Sequence, residues 1–170
     1  MSYAIVEELV ASGRLFDFVS EAAVESISPL CGIDVTVLGE GSLPWSEPPA
    51  GIALVSLADT AGSGFQGVAW VGGSFEALVS LAETLMGERP SEEDEMLQDS
   101  VRELANIVAG RMQERLHRAG MALGLGLPVY IGGAKSLNVG ASLVNGVSAR
   151  VQLELPDTPV LAVGFAVKER

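Results

Sequence analysis

Between Ser91 and Arg118 the apolar residues return at the spacing of an α-helix. Leu97, Val101, Leu104, Ala105, Val108, Met112 and Leu116 fall on one wide face at ~100° per residue, and that face must be buried. On the same wheel Asp99, Glu103, Asn106 and Gly110 lie within roughly 60° of one another on the opposite side. Two carboxylates, an amide and a bare backbone position therefore share one solvent-facing stripe.

The rest of the chain reads as scaffold for this helix. Tyr3 to Pro29 is helical with a break at Ser12-Gly13, and Phe16, Val19, Ala22, Ala23 and Leu30 form its buried side. Gly32 stops it, and Ile33, Val35 and Val37 alternate with Asp34, Thr36 and Leu38 as a strand. Prolines and glycines between Gly39 and Pro49 predict a surface loop, with Trp45 folded back over the sheet edge. Gly51–Leu57 and Phe65–Val71 predict a hairpin.

Ser74 is then an N-cap for a helix that Gly87 closes, and Ser91 with Asp94 resembles a capping box for the central helix. The acidic run Glu92-Glu93-Asp94-Glu95 offsets the macrodipole at that helix start. Gly124-Leu125-Gly126-Leu127-Pro128 follows a helix and opens a strand, Val129–Ile131. A dinucleotide fingerprint has the reverse order, so this is no phosphate cradle. Ser142–Val144 and Val147–Leu155 flank Asn145-Gly146 as a second hairpin, and a turn at Pro156–Pro159 leads to a last strand, Val160–Val167.

This order predicts an α+β fold in a single domain spanning 1–170. Two α-β-β-β halves, about 1–87 and 91–170, share one mostly antiparallel six-stranded sheet with the long helices packed on it. The halves match locally, since Asp17, Glu21 and Val24 have the spacing of Asp99, Glu103 and Asn106. The apolar edge expected at Val160–Phe165 predicts pairing with a second copy.

Composition narrows the partners. At 48% hydrophobic residues the chain can bury a sizeable core, yet no apolar run approaches the ~18 residues of a membrane span. A net charge of −12 repels nucleic acid and anionic lipid. The densest basic group, Arg111, Arg115, His117 and Arg118, reads as a solvated helix end. The start, Met1-Ser2-Tyr3-Ala4, lacks a secretory signal, and the single cysteine, Cys31, excludes an internal disulfide and suits a reducing cytoplasm.

An acidic or serine residue, then glutamate four positions on, then asparagine three further, with a proline some twenty residues later, resembles the signature of the CheC/CheX-type phosphatases of bacterial chemotaxis. Asp99, Glu103, Asn106 and Pro128 carry it here. One intact motif, with Val24 in place of the first-half asparagine, is similar to the CheX subgroup. The resemblance implies dephosphorylation of a CheY-like response regulator. Asn106 would orient the hydrolytic water and Glu103 would dock on a lysine of the regulator. Asp99 and Gly110 would extend the contact.

It further implies a homodimer and no cofactor of the chain's own, since the magnesium belongs to the regulator. The alternative is the same fold without activity, serving as an adaptor for a receiver domain.

Overall fold

The computed structural model describes residues 2–40, 49–91, 93–142, 147–155 and 160–167. Two helices open the chain, α1 (Ser2–Ala11) and α2 (Arg14–Cys31). They part at Gly13, whose φ of 75° is the left-handed conformation that glycine adopts without steric cost. Strands β1 (Thr36–Glu40), β2 (Gly51–Asp59) and β3 (Gln66–Gly73) follow. Helix α3 (Phe75–Met86) starts where the Ser74 hydroxyl accepts from Ala77 N–H and stops at Gly87, as the capping residues predict.

The central helix, α4, runs Glu95–Arg118. It begins later than expected because the cap is Asp94, whose carboxylate accepts from Met96 N–H at 2.9 Å, rather than Ser91. Its inner face holds Leu97, Val101, Leu104, Ala105, Val108, Met112 and Leu116, all buried. The second half continues through β4 (Leu123–Leu125), β5 (Val129–Gly132), α5 (Ala134–Ser142), β6 (Ser148–Glu154) and β7 (Val160–Val167).

The sheet has seven strands rather than the expected six, because the outer strand on β2 is broken into β4 and β5; all described pairings are antiparallel, in the order β1-β6-β7-β3-β2-β4 with β5 also on β2. Under exchange of the halves this order reads the same from either end. The leading strand of each half pairs with the second strand of the other half, and β3 meets β7 at the centre. Neither half could therefore complete its part of the sheet alone.

The helices cover one face, where Val55, Leu57, Val71, Val151, Val163 and Phe165 join α2, α3 and α4 in one core. On the other face Ile52, Trp70 and Ala162 form a small second cluster. There the Trp70 indole lies over Gly164, where an added Cβ would come within 2.4 Å of the ring.

Several expectations need correction. Strand β7 lies inside the sheet, between β6 and β3, so Val160–Phe165 is not an edge; β1 and the β4/β5 strand are. Ser142 belongs to α5, a helix the sequence patterns did not predict, so the expected strand at Ser142–Val144 does not start there. Asn145-Gly146, the Pro156–Pro159 turn and Trp45 lie outside the described residues.

Arg115 is not part of a solvated helix end. Its guanidinium is 11% exposed and pairs with Glu25 at 2.8 Å and Glu21 at 3.2 Å, tying α4 to α2. Burial opposes its charge, and the two glutamates outweigh that, raising its pKa above the ordinary guanidinium value.

Candidate functional site

Helix α4 is gripped on three sides. Its inner face is packed against the sheet and α2, and Arg115 ties one flank to α2. Near its start the Ser100 hydroxyl contacts Met86 Sδ of α3 at 3.2 Å, while on the opposite flank Gln113 Nε2 donates to Leu123 O of β4 at 2.5 Å. Only the outward stripe remains open. A shaft fixed in this way holds its outward side chains in register without needing them to bond to each other.

On that stripe Asp99 and Glu103 are exposed, and Asn106 and Gly110 are partly exposed. Asp99 forms an ion pair with Arg102 one turn on. Glu103 and Asn106, by contrast, make no hydrogen bond or ion pair among the described residues. An amide and a carboxylate ~4.5 Å apart along the axis are thus presented together, their bonding capacity unspent. At Gly110 nothing lies within 4 Å of where a Cβ would stand, so the surface beyond Asn106 is bare.

Pro128, the distal member of the pattern, stands partly exposed just before β5. It belongs to a bulge. Leu125 pairs with Leu57 and Val129 with Leu54, so four steps on the outer strand match three on β2. Gly126 lies within the bulge, its N–H donating to Ser56 O at 2.8 Å, and an added Cβ would meet Ser56 Oγ at 2.1 Å. The close approach of two backbones therefore explains the glycine that phosphate binding did not.

Two further residues, one on α4 and one on the adjoining sheet edge, are not singled out by the sequence patterns. Gln113 follows Asn106 by seven residues, within about 20° on the helix, and that spacing could have found it. Leu127, 87% exposed, carries no periodic signal because it sits in the bulge. Among the described residues no group of three or more histidine, cysteine or acidic side chains is placed to hold a metal ion, and no helix is long and apolar enough to cross a membrane.

Residues 53–149 match the family model described as chemotaxis phosphatase CheX. The fold is similar to that of CheX in the Borrelia burgdorferi CheX-CheY-BeF3-Mg complex, with a TM-score of 0.71, 21% identity, and 91% of this chain and 98% of that chain covered. It is also similar to CheX from Vibrio vulnificus, at TM-score 0.70 and 13% identity, covering 91% of this chain and 99% of that one. Thermotoga maritima FliY is a more distant likeness, with a TM-score of 0.62, 18% identity, and 94% of this chain and 89% of that chain covered. No curated protein matches the sequence.

Proposed function

The chain belongs to the CheX family of chemotaxis phosphatases, and from that premise we propose that it hydrolyses the aspartyl phosphate of a CheY-like response regulator. The observation that carries this reading is the unspent pair, Glu103 and Asn106, standing outward together on a helix that is held on its other sides.

Hydrolysis of an acyl phosphate asks mainly for a placed water and for neutralised charge. The Asn106 amide oxygen accepts from the water, and its NH2 group donates to a phosphoryl oxygen, which sets the water opposite the bond to be broken. A new P–O bond forms from the water, and the bond to the aspartyl oxygen breaks, returning a carboxylate and inorganic phosphate. The magnesium ion is the regulator's, and it neutralises charge on the phosphoryl oxygens. Glu103 pairs with a regulator lysine and fixes the register of docking. The Borrelia complex, in which BeF3 stands in for a phosphoryl group, supports the choice of partner.

The test is phosphate release from a phosphorylated receiver domain with and without the protein. Acceleration establishes the enzyme. Tight association with no acceleration would replace it by an adaptor that uses the same stripe.

Gly110 offers a second check. Since nothing lies near its Cβ position, Gly110→Leu should fold and gain about 0.5–1 kcal/mol of helix stability, while its side chain fills the gap that the receiver needs. The melting temperature should rise by a few degrees while KM increases about tenfold or more. A higher melting temperature with unchanged KM would remove Gly110 from the docking surface.

The reading includes a homodimer, seated on an outer strand rather than on β7. Leu38, 49% exposed, stands at the register irregularity of the outer strand β1, and its apolar side chain is the contact this reading gives to the second copy. Light scattering at tens of micromolar should give twice the chain mass. The monomer mass at that concentration would exclude the dimer.

A further inference from the structure

We infer that Leu127, with Leu125 beside it, is an apolar contact for the phosphorylated receiver domain and helps determine which receiver is served. This rests on the reading given above. Two observations place the bulge next to the stripe. Gln113, on the Asn106 flank of α4, donates to Leu123 O, so that flank faces the β4/β5 edge of the sheet. The chain reverses after α4, and both β4 and β5 lie alongside the helix. The four steps from Leu123 to Leu127, shortened by the bulge, span ~12 Å, which corresponds to about eight residues back along α4 from Gln113. Leu127 is therefore level with the Leu104–Asn106 turn.

A receiver that presents its phosphoryl group to Asn106 and extends over the Gln113 flank of α4 meets this knob. A stable protein interface buries about 800 Å² on each partner, a disc of roughly 16 Å radius, and one centred on Asn106 includes the bulge. Leu127 is 87% exposed and Leu125 is 38% exposed, and within such a footprint each would lose apolar surface to the partner.

A second copy of this chain is the rival occupant, and the backbone argues against it. The outer strand is interrupted: β4 has three residues, β5 has four, and between them lie a bulge and Pro128, which has no N–H to donate. Such an edge resists extension of the sheet by another strand. What it offers is a side chain, so its partner must meet it with side chains, as a receiver's loops bordering the phosphorylated aspartate would.

The experiment compares wild type with Leu127→Ser and Leu127→Lys in steady-state hydrolysis of a phosphorylated receiver domain, alongside light scattering of each variant. At this exposure both variants should fold with melting temperatures within about 2 °C of wild type. The expected result is a KM raised about fivefold for serine and more for lysine, with kcat unchanged and the oligomeric mass unchanged. Equal KM in all three proteins would overturn the assignment while leaving the phosphatase reading intact. A changed mass with unchanged KM would also overturn it, in favour of a contact between copies. Absence of hydrolysis by wild type with every receiver of the same cell would defeat the functional reading, and this inference with it.

Discussion

Asn106→Ala is expected to slow phosphate release from the receiver by about 10²–10³-fold, the loss typical of removing one preorganised group that acts on the transition state. Dissociation of the receiver should change less than about threefold. The reason lies in where Asn106 sits. It is partly shaded and its side chain supports no other part of the fold, so alanine removes an amide without opening a cavity. The deficit should therefore appear in kcat. Glu103→Ala should show the reverse pattern, a raised KM with kcat nearly kept, because an ion pair to the receiver is made equally in the ground state and the transition state. Hydrolysis by Asn106→Ala at the wild-type rate would exclude the water-orienting role.

Leu104→Ala carries the largest expected effect on stability. Leu104 is 0% exposed and stands on the inner face of α4, in the turn between Glu103 and Asn106. Truncating a fully buried leucine removes apolar contact and leaves a cavity, together about 2–5 kcal/mol. In a chain of this length each kcal/mol lowers the melting temperature by about 2–4 °C, so a fall of about 4–20 °C is expected in calorimetry. The folded fraction should also lose turnover, since a displacement of the shaft by about 1 Å can cost about 10²-fold when catalysis rests on positioning. A drop of less than about 2 °C would mean that the core repacks around the gap.

What the sequence made legible, and what it hid, follows from the range of each interaction. The buried face of α4 could be read because seven apolar residues repeat at the helical period and a single core takes them all. The open stripe followed as its complement. Arg115 was misread because a cation in a last turn is ordinary, and only the packing of α2 against α4 brings Glu21 and Glu25 to it from 94 and 90 positions away.

The place of β7 was hidden for a similar reason. Its unbroken apolar run, Val160 to Val167, marks a strand buried on both sides, yet strand order depends on how the halves interleave. Helix α5 is nearly without signal, since Ala134–Ser142 is only nine residues long, has just two large apolar residues, Leu137 and Val139, and includes Gly140. The bulge at Gly126–Pro128 and the short strand β4 before it carry no strand signal, because an extra residue breaks the alternation by which strands are recognised.

The bolt between the long helices has a consequence for how the molecule is used. On α2, Asp17 and Glu21 repeat the spacing of the working stripe, but Glu21 is held by Arg115, and Val24 packs against the core at the place of the amide. On the proposed reading the chain thus has a front and a back, and the expected stoichiometry is one receiver for each copy. Any gain in throughput has to come from more copies rather than from a second seat on the same one.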